Sequence, residues 1–146
     1  MEPKPVVVNP AQCAVDRVRT AQVRYLLTGA QTSGRLAIVE ITDVAGSGVP
    51  PHIHTHKDET FHVMEGELEF TVGDQRFVVG PGAVVYGVRG VAHGFRTLTP
   101  ARLNVVITPA GIENLLHEYA GLESAGSDTT AAAVIAARYG VRFVDC

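Results

Sequence analysis

The sequence predicts an all-β fold, a sandwich or barrel of short strands followed by short helices. Glycine and proline, 15 and 8 of the 146 residues, recur at short intervals, and β-rich apolar runs lie between them. After Pro109 the apolar period changes from that of a strand to that of a helix. The eight predicted strands are residues 23–27, 36–44, 60–64, 67–72, 76–79, 83–86, 93–97 and 102–107. Eight short strands of this kind are typical of a jelly roll.

The strand period is clearest in residues 67–72. Polar and apolar residues alternate strictly there, so we expect Leu68, Phe70 and Val72 on one buried face. Gly73 and Asp74 then turn the chain into the next run. This pattern predicts a β-hairpin.

Two helices are predicted after the last strand. The first has an apolar stripe at positions i, i+3, i+4 and i+7, formed by Ile112, Leu115, Leu116 and Tyr119. Asp128 is expected to cap a second helix that reaches Tyr139, with Gly140 just beyond its end. Residues 141–144 could add a last strand.

The length and composition predict one domain. A chain of 146 residues, 46% hydrophobic and 18% charged, can bury one good core and is unlike a disordered sequence. Within this single domain, residues 1–146, we expect an N-terminal arm over 1–22, a barrel over 23–108 and a helical extension over 109–146.

Charge and cysteine content limit the partners and the location. The formal net charge of −3 comes from 12 basic and 15 acidic residues spread along the chain, which argues against nucleic-acid and membrane partners. Cys13 and Cys146 are far apart in the sequence and are expected to be free thiols, with a bridge between them as the alternative. These thiols, and a start without a signal-peptide pattern, predict a cytoplasmic protein.

The N-terminal arm needs a partner. Val6, Val7 and Val8 lie between prolines and should be extended and apolar. No segment of the same chain is an obvious cover for them. A second subunit is the candidate, so we expect a homodimer.

A histidine-rich segment is the main functional signal, since four of the six histidines lie between residues 52 and 62. On a strand, side chains at i and i+2 point to the same face, so His52 and His54 form a pair of adjacent candidate ligands. Glu59 follows a polar turn at the head of the next predicted strand. It could therefore supply a third ligand.

His93 is the candidate for a fourth ligand, because it is the remaining histidine on a distant predicted strand. Three imidazoles and one carboxylate suit one divalent transition metal, Fe, Mn, Ni, Cu, Co or Zn, and do not suit Ca²⁺ or Mg²⁺. His56 continues the alternation and is the alternative to Glu59 if the strand stays regular. His62 is expected on the opposite face of its strand, and His117 on the polar side of a helix.

Two spacings resemble those of a known family. The first motif of the cupins is reproduced in full by Gly46, His52, His54, Glu59 and Gly66. Their second motif is matched in part by Gly82, Gly90 and His93. Val88 and Thr97 stand where that motif usually has proline and asparagine.

The sequence therefore resembles the cupin superfamily over about residues 46–97. The resemblance implies a double-stranded β-helix, which is the jelly-roll barrel of cupins, with His52, His54, Glu59 and His93 as metal ligands. Within the superfamily, the residues around the histidines and the C-terminal tail are similar to the small quercetin dioxygenase-like cupins. The expected cofactor is one divalent transition metal.

The expected activity is that of a metal-dependent dioxygenase, an oxidoreductase that uses dioxygen on a small aromatic or enolisable substrate. Glu59 would be ligand and base together. The alternatives are a non-oxidative isomerase or cyclase and a small-molecule-binding protein without activity. Aromatic residues on strands could line a pocket around the metal or simply pack in the core, and these are Tyr25, Phe61, Tyr86 and Phe95.

Overall fold

Two antiparallel β-sheets form the barrel. A computed structural model of the protein describes residues 2–124, 126 and 129–144, and these contain eleven strands and three α-helices. The first sheet has the strand order β1 (Val15–Val18), β2 (Ala21–Leu27), β3 (Ala37–Asp43), β10 (Ala101–Thr108), β5 (Asp58–Glu65) and β8 (Val84–Gly87). The second has the order β11 (Val141–Phe143), β4 (Gly48–His54), β9 (His93–Thr97), β6 (Leu68–Val72) and β7 (Gln75–Val79).

This architecture confirms the predicted jelly roll. Each of the eight predicted strands is present, with boundaries that agree to within two residues. The hairpin of β6 and β7 is also confirmed, with Leu68 opposite Val79 and Val72 opposite Gln75. The last strand allowed for residues 141–144 is present as β11, and the described chain adds β1 and β4, of which β4 carries the histidine pair.

Alternate positions on the strands fill the space between the sheets. On β10 the buried side chains are those of Ala101, Leu103, Val105 and Ile107. Three phenylalanine rings meet in the same core, Phe61 from the first sheet and Phe70 and Phe95 from the second, with centroids 5.2–5.9 Å apart. Burial of one such ring contributes about 1.5–3 kcal/mol. The core therefore has its own source of stability.

The helix α2 (Ile112–Ser124) packs on the core through its apolar stripe. Ile112 and Leu115 are buried, and the half-buried Leu116 and Tyr119 lie against the same cluster. The stripe predicted from the sequence is confirmed. The helix α3 (Thr129–Arg138) follows it.

The start of α2 is fixed by a buried carboxylate. Glu113 is 4% exposed and accepts hydrogen bonds from the backbone N–H groups of Gly29, at 2.8 Å, and Gly111, at 2.6 Å. Gly29 begins the short helix α1 (Gly29–Thr32). The carboxylate therefore ties α2 to the loop after β2. Asp128, the expected cap of α3, lies outside the described residues.

The N-terminal segment contains regular structure within the residues expected to form an arm. A 3₁₀ turn, Pro10–Gln12, precedes β1, and β1 pairs with β2 in antiparallel register. Val7 is 99% exposed. Cys13 is a free thiol, while Cys146 lies outside the described residues. Within the described chain, no helix combines the length and the apolar character needed to cross a membrane.

Gly66 joins β5 to β6 where the backbone leaves no room for a side chain. Its φ is +87°, and a Cβ atom there would lie 2.3 Å from the carbonyl oxygen of Pro100. Gly66→Ala should lower the free energy of unfolding by about 2–3 kcal/mol, because left-handed strain and a collision with backbone act together. Thermal unfolding followed by circular dichroism measures the effect.

The matched control is Gly80→Ala, since a Cβ atom at Gly80 meets no atom within 4 Å and φ there lies outside the left-handed region. Its midpoint should stay within about 2 °C of the wild type. Equal midpoints for the two variants would contradict the assignment of Gly66.

Candidate metal centre

The strand β4 presents two histidines to the barrel interior. His52 and His54 are both buried, and the register of β4 on β9 shifts between Val49 and His52. The Nδ1 atom of His52 lies 2.9 Å from the carbonyl oxygen of Pro50, an atom that can only accept a hydrogen bond. In the neutral ring, Nδ1 therefore carries the proton and Nε2 keeps the lone pair that a metal ion needs.

His93 stands opposite His52 on the neighbouring strand β9. It is 1% exposed, and its ring centroid lies 4.7 Å from that of His52 and 5.4 Å from that of His54. The space for its ring depends on Gly87 in β8, where a Cβ atom would lie 3.0 Å from the carbonyl oxygen of Glu59 and 3.0 Å from Cε1 and 3.1 Å from Nδ1 of His93. Gly87 is thus a positioning residue that the sequence analysis missed, because no local pattern indicates which ring it meets.

Glu59 brings a carboxylate from the opposite sheet. It lies on β5 and shares the inward face with the buried Phe61 and Val63. Its Oε1 atom is 2.6 Å from Nε2 of His54, 3.1 Å from Nε2 of His93 and 3.8 Å from Nε2 of His52.

The four donor atoms fit one metal ion. They all lie within 4.8 Å of one another, and the four residues are buried. Nε2 of His54 makes no hydrogen bond, although Oε1 of Glu59 is 2.6 Å away. A buried ring nitrogen without a partner is costly, and a bound cation would satisfy it. Imidazole and carboxylate donors suit borderline divalent transition metals.

The charge of the centre also favours a cation. Burial by itself would raise the pKa of the Glu59 carboxyl. The surrounding imidazoles of His52, His54 and His93 outweigh this effect and hold that pKa well below its ordinary value. Glu59 is therefore an ionised carboxylate in an apolar interior, which attracts positive charge strongly.

The other histidines lie outside the centre. His56 is exposed in the turn between β4 and β5. It is not a member of the cluster that His52, His54, Glu59 and His93 form within the described chain. His62 is exposed on the outward face of β5. His117 is exposed on α2, where its Nδ1 atom lies 2.7 Å from the carboxylate of Asp16.

An apolar cavity of about 90 Å³ lies beside the donor atoms. Phe61 and Phe95 line it, as the sequence analysis allowed. Other wall residues lie on both sheets and on α2, and they include Val39, Val105, Leu115, Tyr119, Val141 and Phe143. The apolar stripe of the first helix predicted its inward face, whereas the last strand was missed as a wall element because nothing local in its sequence indicates what it covers.

Tyr25 and Tyr86 do not line this cavity, which corrects their assignment as pocket residues. Tyr86 is 56% exposed, since the alternation along β8 turns its neighbour Val85 towards the core instead. The Tyr25 hydroxyl donates a hydrogen bond to Asp16 at 2.7 Å, and its ring lies edge-on to His117. Tyr25 therefore packs between β1 and α2.

A second, larger groove of about 280 Å³ lies near Gly48 and Arg96. None of the four candidate ligands lines it. The chemistry is therefore assigned to the smaller internal cavity.

Residues 39–108 match the family model described as "Cupin domain". The chain belongs to the cupin superfamily. All four candidate ligands of this cupin lie inside the matched segment, while α2, α3 and β11 lie beyond it. Among curated proteins, none has a sequence that matches it significantly.

Solved structures share the fold of this cupin. An RmlC-like cupin from Shewanella frigidimarina has a TM-score of 0.67 and 21% identity, covering 78% of this chain and 99% of its own. KdgF from Halomonas sp. has a TM-score of 0.69 and 17% identity, covering 76% and 99%. The polyketide cyclase RemF from Streptomyces resistomycificus has a TM-score of 0.62 and 23% identity, covering 74% and 81%. At these identities the likeness establishes the fold alone.

His93→Ala should remove most of the bound metal and leave the barrel folded. The apolar core between the sheets does not depend on the ion, in contrast to a zinc finger. Gly87→Ala keeps all four candidate ligands but crowds the ring of His93 and the backbone of Glu59, so it should weaken metal binding by about 10–100-fold, the usual range for groups that orient a ligand. Elemental analysis and chelator competition measure both effects.

Gly80→Ala again serves as the control and should bind metal like the wild type. A wild-type metal content in His93→Ala would show that His93 is not a ligand. Wild-type affinity in Gly87→Ala would remove the positioning role of Gly87.

Proposed function

We propose that this cupin is a metal-dependent dioxygenase acting on a small aromatic or enolisable substrate. The observation that supports this most directly is the buried set of three imidazoles and one carboxylate beside an apolar cavity. Four protein ligands leave coordination positions open for small molecules. The resemblance to quercetin dioxygenase-like cupins adds to this support.

The cavity favours a neutral, flat substrate. Phe61 and Phe95 offer aromatic faces, and most of the remaining wall is aliphatic. Within the described chain no arginine or lysine lines the cavity, so a carboxylate or phosphate would find no cationic side chain there. Specific orientation would come from a few polar groups in an apolar pocket, and three of the candidate ligands, His52, His54 and Glu59, line this one.

The proposed chemistry uses Glu59 as a base. A bound metal would supply Lewis acidity towards a substrate oxygen and redox chemistry with dioxygen. Because the pKa of the Glu59 carboxyl is low, Glu59 would accept on a carboxylate oxygen the proton of a substrate hydroxyl that the metal acidifies, leaving an electron-rich enolate or phenolate. Both atoms of dioxygen would enter the product, so no external reductant is required. His52, His54 and His93 would hold the ion.

A non-oxidative cyclase or isomerase is the second candidate. The likeness to the polyketide cyclase RemF favours it, and an apolar cavity suits such a substrate equally well. The third candidate is a small-molecule-binding cupin without activity. Oxygen consumption distinguishes the dioxygenase from both, and product formation without oxygen distinguishes the second from the third.

The variant Glu59→Gln tests whether Glu59 is the base. Oxygen consumption is measured with an oxygen electrode, using flavonols, catechols and β-diketones as substrates. The amide keeps the shape of the side chain but cannot accept a proton. Wild-type protein should consume oxygen, and the variant should remain at least about 100-fold slower at saturating metal, the scale usual for loss of a general base. Metal occupancy is measured on the same samples.

Glu65→Gln is the matched control, since Glu65 lies on the same strand but its side chain is 67% exposed. It should retain full activity. Full activity in metal-saturated Glu59→Gln would restrict Glu59 to a ligand role. No oxygen consumption by the wild type, with product formed under nitrogen, would favour the cyclase.

We also propose that this cupin is a homodimer. Val7 is 99% exposed, and the outer strand β8 exposes Val84 and Tyr86. Apolar side chains on a sheet edge are commonly covered by a partner. Light scattering at micromolar concentration should give twice the chain mass of 15.5 kDa, and a monomeric mass would refute the proposal.

A further inference from the structure

The cavity beside the metal centre is small for a ligand site. Its volume of about 90 Å³ compares with roughly 300–1,000 Å³ for pockets that bind drug-sized molecules. An aromatic substrate therefore needs more room than the cavity offers. One wall has to yield, and the strand connections indicate which one.

Among the strands that line the cavity, β11 has the fewest paired neighbours. The strands that carry the ligands, β4, β5 and β9, each pair with a neighbour on both sides. By contrast, β11 is three residues long and pairs with β4 alone. Backbone hydrogen bonds from Thr55 to Gly140 at 2.8 Å and from Val144 to Pro51 at 3.0 Å are close to its ends. A short edge strand opens at a lower free energy than a central one.

The register of β11 places two side chains next to the ligands. Val141 pairs with His54 and Phe143 with His52, and both Val141 and Phe143 line the cavity. The ring centroids of Phe143 and His52 are 5.9 Å apart. The apolar face of β11 therefore lies directly against the metal centre.

Phe143 is the most exposed of the described residues that line the cavity. It is 40% exposed, whereas every other lining residue in the described chain is buried or half-buried. Val141, on the same face of β11, is only 5% exposed. The Phe143 ring therefore stands at the mouth, between the cavity and solvent.

The wall on α2 is held more firmly. The Glu113 carboxylate fixes the start of that helix through two backbone N–H groups. The Tyr119 hydroxyl donates a hydrogen bond to the carbonyl oxygen of Ala132 at 3.3 Å. Expansion of the cavity is thus directed towards β11 and Phe143.

From these observations we infer that Phe143 is a specificity-determining residue, whose ring sets the largest ligand that can reach the metal centre. The inference rests on the metal-binding part of the proposed function, and it does not depend on which reaction follows. Small ligands pass the ring, whereas a ligand with a second ring collides with it.

Ligand titrations of the Co(II)-loaded protein test this inference through the visible absorption of cobalt. Azide is the small probe and 4-phenylimidazole the long one. Phe143→Ala should leave the Kd for azide within about threefold and tighten the Kd for 4-phenylimidazole about tenfold or more, in the range that pocket residues give for size discrimination. Phe143→Trp should weaken 4-phenylimidazole instead.

Phe77→Ala is the matched control, because Phe77 also lies on an outer strand, β7, and is 45% exposed but does not line the cavity. It should change neither Kd. Arg142→Ala controls for loosening of β11, since Arg142 lies between Val141 and Phe143 and faces away from the cavity.

An unchanged Kd for 4-phenylimidazole in both Phe143 variants would overturn the inference. A parallel loss of cobalt and of azide binding in Phe143→Ala would also overturn it, since it would show a structural role for the ring. If the Phe143 variants change ligand selectivity as expected but the wild type consumes no oxygen, the role of Phe143 would be supported and the proposed dioxygenase activity would be refuted. A wild-type protein that takes up no Co(II) would refute both.

Discussion

The central constraint on this structure is an ionised carboxylate buried between two apolar sheets. Removing such a charge from water costs several kcal/mol unless partners compensate it. Glu59 is 7% exposed, and its partners are three imidazoles on strands of the opposite sheet. The barrel must therefore hold β4, β5 and β9 at fixed separations. The packed rings of Phe61, Phe70 and Phe95 link the two sheets and help to keep these separations fixed.

The candidate metal ligands and several walls of the cavity come from different parts of the chain. The four ligands lie within residues 39–108, the segment shared with the cupin family. The walls contributed by Leu115 and Tyr119 on α2, and by Val141 and Phe143 on β11, lie beyond that segment. Changes in the C-terminal extension could therefore alter ligand choice while the metal centre stays intact. This separation agrees with the view that one fold supports many reactions.

The fold could be predicted from local signals, and the clustering of the four candidate ligands from local signals together with a family motif. The alternation of residues 67–72 and the His-x-His spacing each follow from the geometry of one strand. The four ligands come from three strands, and the cupin motif relates them although they are distant in sequence. The structure brings these same residues to one point.

The positions of Tyr86, Gly87 and Phe143 could not be predicted in the same way. Alternation along residues 83–86 separates two faces of a strand but does not say which face is inward. The contact of Gly87 with the ring of His93, and that of Phe143 with His52, depend on pairings across the barrel. The pairing of β11 with β4 joins segments about ninety residues apart, and no short-range pattern encodes it.

The register shift in β4 decides which way the histidines point. Val49 pairs with Phe95 and His52 with His93, so Pro50 and Pro51 together occupy the place opposite Gly94. Without the register shift, regular antiparallel pairing would put Pro51 opposite His93. His52 and His54 would then point outward, because a shift of one residue moves every side chain of a strand to the other face. The extra residue reverses the direction of the side chains that follow it. Val49 and His52 therefore both face the interior, although they are three positions apart and would face opposite sides of a regular strand. The candidate metal centre thus depends on a single added residue in β4, without which His52 and His54 would face away from Glu59.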